Sequence, residues 1–301
     1  MSEIKVIEKQ TRLISFLICI LSYVIALGVA IGIGFALHPR IHPIFTALVA
    51  DIAATFVIYL YSTILKNTSL YDPYWSFIPI VIALYWLFSS TPISEITIRQ
   101  IVILLLVCVY GIRLTYNWSI GWKGLGHEDW RYTKYRKDFP KLFWGINLTG
   151  LQMMPTILVF LGCLSLYPAL TTTFPTFNIL TIFGIIIVSI AILIETVADE
   201  QLRKFNKQKE KGQMISSGLW GYTRHPNYFG EISFWWGLWF FALSINPSAY
   251  WWMIVGPVCI TILFFVISIP MMEKYLKEKY PNYGEYQKKV SMLIPWFSRK
   301  N

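Results

Sequence analysis

The chain has 301 residues, 55% of them hydrophobic and 17% aromatic, with only 14% charged and a mean hydropathy of +0.53. A soluble domain carries about 25% charge, so this composition excludes an ordinary water-solvated globule. The formal net charge of +10 would suit nucleic acid, but the basic residues cluster in 118–148, 199–227 and 271–301, between and after apolar blocks, which points to membrane topology and headgroup contact and to no nucleic-acid partner.

A helix needs about 20 apolar residues to cross a hydrocarbon core. Apolar blocks of that order fall at 13–37, 43–65, 75–91, 98–117, 149–168, 177–198, 228–246 and 250–270. They predict an all-α, polytopic transmembrane helical bundle of seven or eight spans, organised as a single integral membrane domain over 1–301. The count is seven if the block at 228–246, which carries Gly230, Glu231 and Gly237, does not span. The first block is longer than a signal-peptide core and no small-x-small site follows it, so no cleavable signal is expected. Gly28, Gly32 and Gly34 within it follow no strand; such spacing lets helices approach closely rather than cradle a phosphate. The four cysteines lie in four different apolar blocks without a CxxC, which predicts neither disulfides nor a thiolate metal site.

Basic loops stay cytoplasmic. Eight spans would put both termini inside, in keeping with Lys5, Lys9 and Arg12. The long loops 118–148 and 199–227 then face the cytoplasm, and long loops are where function concentrates. The sequons at Asn67, Asn117 and Asn147 fall near inner helix ends and are not glycosylation sites in this topology. From Met271 onward the tail reads as a short amphipathic helix, a break at Pro281-Asn282, and an apolar end at Leu293–Phe297 folded back to the membrane surface.

Two constellations point most strongly to chemistry. Glu195, Asp199 and Arg203 recur at i, i+4 and i+8, so one face of the sixth span points two carboxylates and a guanidinium the same way. An ionisable residue inside a span faces a cavity or a partner and marks a site; the plainer reading is an Asp199–Arg203 pair at the membrane edge. The second is the run from Gly218 to Glu231. Pro226 suits a first helical turn, whose free N–H groups beside Arg224 and His225 form an anion-binding corner. Asn227 and Glu231, at i and i+4 on an aromatic helix, bracket one polar ligand group. Two weaker sets are Asp72 in Tyr71-Asp72-Pro73-Tyr74-Trp75, and Tyr110 with Arg113 three apart near the inner end of the fourth span; each reads equally as a site or as interface anchoring. There is no HExxH, GxSxG or Walker motif, and no metal site is expected.

The run GLWGYTRHPNYFGE, preceded by ETVADEQ and followed by PMMEKYLKEKYPNYGEYQKKVSMLIP, resembles the steroid 5-alpha-reductase-like membrane proteins, most closely their bacterial branch, a domain of unknown function. The motif-bearing part covers about 105–297. The resemblance implies an NADPH-dependent oxidoreductase acting on a CH–CH group, with a cavity open to the cytoplasm and hydride passing to the β-carbon of an enone in a lipidic substrate. Position by position it implies that Asp199, Arg203, Asn227, Tyr228, Glu231 and Tyr275 hold the dinucleotide, with Glu195, Arg224 and His225 beside them. Tyr110 matches a tyrosine that hydrogen-bonds the substrate carbonyl, Asp72 is its acidic partner, and Arg113 and Trp75 belong to the substrate side. Glu195 stands where the animal steroid enzymes have an amide, and the acid-aromatic motif differs from theirs, so the resemblance does not imply a steroid.

Isoprenylcysteine carboxyl methyltransferases and phospholipid methyltransferases share the Arg-His-Pro-x-Tyr motif, a later acid and a Tyr-rich tail. They bind S-adenosylmethionine in place of NADPH. Asn227-Tyr228-Phe229-Gly230-Glu231 and the upstream Asp199-Glu200-Gln201 favour the reductase. A non-enzymatic lipid-binding membrane protein is the third reading. The expected partners are a lipidic small molecule and membrane lipids, in a bacterial inner membrane or endoplasmic reticulum.

Overall fold

A computed structural model describes residues 2–173, 176–210 and 212–297, with side chains from Thr11 onward; the side chains of Lys5 and Lys9 lie outside the described ones. In chain order the α-helices are α1 (Ser2–Leu37), α2 (Pro43–Ile64), α3 (Tyr74–Ser90), α4 (Ile98–Gly121), α5 (Trp130–Asp138), α6 (Phe143–Ile146), α7 (Met154–Cys163), α8 (Leu166–Thr171), α9 (Ile179–Gln208), α10 (Pro226–Leu243), α11 (Pro247–Tyr250), α12 (Val255–Leu263), α13 (Ile269–Lys279) and α14 (Tyr283–Lys289). A π-helical turn over Asn147–Met153 joins α6 to α7, and a second over Phe264–Ser268 joins α12 to α13. Among the described residues there is no strand, only one isolated bridge between Thr223 and Ser291. The protein is an all-α, polytopic integral membrane protein.

Among the described residues, seven helical stretches are long and apolar enough to cross a membrane: Thr11–Leu37, Pro43–Ile64, Thr68–Ser90, Ile98–Gly121, Phe143–Cys163, Ile179–Gln208 and Pro247–Lys279. The block at 228–246 becomes α10 but is not among them. Pro226, Asn227, Glu231 and three tryptophans lower its hydropathy, and it solves its solvation differently. Ten of its 18 residues are buried, including Glu231, Phe234, Trp235 and Phe241, so protein rather than lipid surrounds most of it. Helix α1 does the opposite and leaves Leu13, Leu17, Val24 and Ile31 exposed, as an apolar helix in lipid would.

The chain forms two compact units, each discontinuous in sequence: residues 1–93 with 110–160, and residues 94–109 with 161–301. In the first, α3 and α4 meet without a side chain between them. A Cβ on Gly111 would collide with the Ser76 carbonyl oxygen, and Ser76 Oγ hydrogen-bonds Thr115 Oγ1 at 2.8 Å. Two loops are laced together beneath: Glu128 accepts from the Thr68 N–H at 2.8 Å and from Arg136 at 2.8 Å, while Asn67 Nδ2 donates to the carbonyls of Leu125 and His127. The Arg136 guanidinium also lies 4.0 Å from the Phe143 ring centroid.

In the second unit α9 and α10 pack along a glycine seam. A Cβ on Gly237 would lie 2.6 Å from Val188 Cγ2, one on Gly184 2.7 Å from Phe241 Cε1, and one on Gly230 would collide with Glu195 Cγ and sit 2.9 Å from the Ala191 carbonyl oxygen. Small residues at a crossing let backbones approach where lipid offers no hydrophobic drive. Arg99 in this unit is fully buried; its Nη2 donates to the carbonyls of Ala169 and Thr172 at 2.9 and 3.1 Å.

Candidate functional site

In the second unit, the three sequence runs that carry the resemblance are brought together. Gly218 has φ +63, which suits glycine, and a Cβ there would lie 2.6 Å from three atoms of the Gln201 amide group. Gln201 Oε1 accepts from the Leu219 N–H at 2.9 Å, and Trp220 Nε1 donates to the Ala198 carbonyl at 3.1 Å. The end of α9 is thereby fixed to the turn that leads into α10. Along α9, Glu195 is buried, Asp199 half-buried, and Arg203 Nη1 donates to Glu200 at 2.8 Å.

The turn before α10 is tied in turn to the tail. Arg224 donates through Nε to Glu273 Oε1 at 2.7 Å and through Nη1 to the carbonyls of Gln287 and Val290 at 2.8 and 2.9 Å. Glu273 also accepts from Gln287 Nε2 at 2.7 Å, with His225 Nε2 at 3.4 Å and the Tyr283 hydroxyl at 3.5 Å. Burial and the Glu273 charge raise the Tyr283 pKa above the ordinary tyrosine value; burial raises that of Tyr286 as well. The Tyr286 hydroxyl donates to the Trp220 carbonyl. This changes the reading of the anion-binding corner. Arg224 is only 10% exposed and clamps the tail, and its charge is matched by Glu273, a residue that local spacing gave no reason to pick.

On α10 itself, His225 stacks on Tyr228 at 5.1 Å and 6°. Glu231 is buried and accepts from Trp235 Nε1 at 2.8 Å. Asn227 and Tyr228 are half-buried on the first turn. Tyr275, half-buried on α13, accepts from Lys279 Nζ at 3.1 Å. A dinucleotide needs donors for its phosphates and acceptors for its ribose hydroxyls. The partly exposed Arg203, Asn227, Tyr228 and Tyr275 match those needs in kind, with Asp199 as an acceptor. Glu195, His225 and Glu231 are buried, and Arg224 nearly so.

Among the described residues of the first unit, two acid–phenol pairs stand out. In one, the Tyr132 hydroxyl donates to Asp72 Oδ1, and burial together with the Asp72 charge holds the Tyr132 pKa well above the ordinary value. Asp72 thus has a phenol partner in Tyr132. Tyr110 is fully buried on α4, Arg113 half-buried one turn on, and Trp75 half-buried at the start of α3. In the other pair, the Tyr74 hydroxyl donates to Asp51 Oδ1 at 2.7 Å. Asp51 is 2% exposed and lines a cavity of about 320 Å³ walled by α1, α2 and α3, with Leu27, Ile31, Ala47, Ile82 and Tyr85. Asp51 Oδ2 and the Tyr85 hydroxyl are buried with no hydrogen-bond partner among the described residues. A ladder of hydroxyls braces this end: Tyr71 and Thr55 each pair with Thr156 Oγ1 at 2.8 Å. Neither Tyr110 nor Asp72 lies on the wall of this cavity. Asp51 was missed because it is a single acid in an apolar block, and its phenol partner is 23 positions away; its cost inside a span was the available signal. No group of three or more His, Cys, Asp or Glu suited to a metal occurs among the described residues.

A family described as protein of unknown function, DUF1295, matches residues 58–290. An uncharacterized protein of Schizosaccharomyces pombe is 25% identical over 252 residues, 76% of this chain and 73% of that one. The protein-S-isoprenylcysteine O-methyltransferase of Saccharomyces cerevisiae is 32% identical over 91 residues, 30% of this chain and 36% of the enzyme. No solved structure matches.

Proposed function

The chain belongs to the DUF1295 family, the steroid 5-alpha-reductase-like membrane proteins, and on that footing we propose that it is a membrane-embedded, NADPH-dependent reductase of a carbon–carbon double bond in a lipidic enone. The observation that supports this most is the α1–α3 cavity: an apolar chamber lined by Asp51 and Tyr85, whose Oδ2 and hydroxyl are buried without a hydrogen-bond partner among the described residues. Burying such groups unpaired costs free energy, and an apolar pocket with a few convergent polar atoms is what a small molecule of mixed character needs.

Enone reduction places a hydride on the β-carbon and a proton on the α-carbon, while negative charge builds on the carbonyl oxygen. NADPH, when bound, supplies the hydride. The apolar wall holds the substrate body and excludes water. The Tyr85 hydroxyl donates to the carbonyl oxygen as its charge develops. Asp51, fixed through Oδ1 by Tyr74, holds a proton at Oδ2 beside it. In the other unit, Arg203, Asn227, Tyr228 and Tyr275 would hold the dinucleotide.

A second reading has one finding behind it, the similarity to the yeast isoprenylcysteine methyltransferase: a methyltransferase that takes S-adenosylmethionine at the same α9–α10 residues. Thermal unfolding of the purified protein with NADPH, NADH or S-adenosylmethionine separates the two. A ligand at a hundredfold over its dissociation constant stabilises the native state by about 2.7 kcal/mol. Stabilisation by NADPH supports the reductase, and stabilisation by S-adenosylmethionine alone overturns it. With NADPH established, turnover of enone lipids should fall at least tenfold in Asp51→Asn and Tyr85→Phe with NADPH affinity unchanged. A loss confined to Tyr110→Phe would return the donor role to Tyr110.

A further inference from the structure

The C-terminal segment is held against the turn before α10 by its backbone. The Arg224 N–H donates to the Ser291 carbonyl at 2.8 Å, Thr223 Oγ1 to the Leu293 carbonyl at 2.8 Å, and the Trp296 N–H to the Tyr222 carbonyl at 3.0 Å. So fixed, the segment displays what a water-facing surface avoids: Ile294 is 65% exposed, Trp296 69% and Phe297 78%, and Phe297 packs edge-on against the exposed Tyr222. Trp296 and Phe297 line a cavity of about 390 Å³ whose wall also includes Arg224, Lys288, Lys289 and Ser291 and, among the described residues, no carboxylate. Arg224 is already matched by Glu273 at 2.7 Å, so the two lysines give the cavity its excess positive charge.

We propose that this cavity binds the phosphate headgroup of an anionic phospholipid, with Ile294, Trp296 and Phe297 inserted beside its acyl chains. A free anion would be served by the lysines alone and gives no use to an exposed aromatic rim. A second protein would have to cover aromatics and lysines together. An amphiphile satisfies both parts at once, because tryptophan and lysine share the interfacial zone of a membrane, ring in the acyl boundary and ammonium at the phosphates. The site is independent of which cofactor the α9–α10 residues take.

The test uses the full-length protein in an uncharged detergent, titrated with short-chain phosphatidylglycerol, short-chain phosphatidylcholine or inorganic phosphate. Bound lipid is counted by native mass spectrometry and followed by thermal shift. The wild type should retain phosphatidylglycerol over phosphatidylcholine. The Lys288→Ala/Lys289→Ala variant should bind it about thirtyfold more weakly, from roughly fivefold per lysine near a phosphate surface. Trp296→Ala should also weaken retention, with NADPH affinity unaltered in all variants. Equal retention of both lipids by the wild type overturns the proposal, as does equal phosphatidylglycerol binding by the lysine variant. Inorganic phosphate that displaces the lipid at comparable concentration would reduce the cavity to a simple anion site. Loss of NADPH affinity in the lysine variant would assign it to the cofactor instead. Should the lysine variant not fold, the wild-type lipid preference and its weakening by salt still decide.

Discussion

Removing the Glu273 carboxylate tests whether the tail is locked to the α9–α10 region. Glu273 accepts two short bonds at 2.7 Å, from Arg224 and Gln287, and its pair with Arg224 is 15% and 10% exposed. Hydrogen bonds to charged groups contribute about 1.5–3 kcal/mol each, and breaking a buried pair costs about 3–5 kcal/mol because the remaining charge is left behind. Here Arg224 keeps the carbonyls of Gln287 and Val290, and the pair retains some solvent. Both lower the figure, so Glu273→Ala should destabilise by about 2–3 kcal/mol. Arg224→Ala should cost a similar amount, and the double variant clearly less than the sum, with a coupling of about 1–2 kcal/mol as expected for groups in contact. Thermal unfolding in detergent measures all four corners of the cycle, and limited trypsin digestion at Lys288 and Lys289 reports whether the tail itself is released. Additive costs, or an undisturbed trypsin pattern in Glu273→Ala, would refute the clamp and return Arg224 to the anion-binding role.

On α10 the structure separates two residues that share a helix face. Asn227→Ala should weaken NADPH binding while leaving the unfolding temperature unchanged, whereas Glu231→Ala should lower stability by about 1–3 kcal/mol, since it strands the buried Trp235 N–H; equal thermal stability of the two variants would contradict this. Gly230→Ala should destabilise by about 1–3 kcal/mol, because its Cβ meets the Ala191 and Glu195 backbone at 2.9 and 3.2 Å, while Gly284→Ala, with nothing within 4 Å, should be neutral or slightly stabilising; thermal unfolding distinguishes them. Alkaline pH should loosen the tail. Folding raises the Tyr283 and Tyr286 pKa values, so their contribution is fully present below the unfolded value near 10 and is lost as pH rises toward the folded values. The Tyr283→Phe variant should lose stability less steeply above about pH 10 than the wild type, and parallel slopes would count against the assignment.

What was legible in the sequence follows from the range over which each signal acts. Hydrocarbon thickness imposes a run length, and the runs at 13–37, 43–65 and 177–198 reappear as parts of α1, α2 and α9. Run length left the block at 228–246 open between spanning and not spanning, because it does not distinguish a helix wrapped in lipid from one wrapped in protein; its glycines and its internal acid were the clue to the second. Helical spacing likewise placed Asn227 and Glu231 on one face, but Trp235 lies at the same spacing on the other side of Glu231, and nothing local decides which neighbour takes its oxygen. Partners distant in sequence were invisible altogether: Arg224 finds Glu273 across 49 positions and Asp51 finds Tyr74 across 23. Both acids are residues that a spanning or membrane-edge segment tolerates only with a partner or a cavity. An acid without a local partner in an apolar run therefore does carry a prediction, that a distant donor or a ligand completes it. Asp51 poses both possibilities in one side chain, one oxygen held by Tyr74 and the other buried without a partner among the described residues.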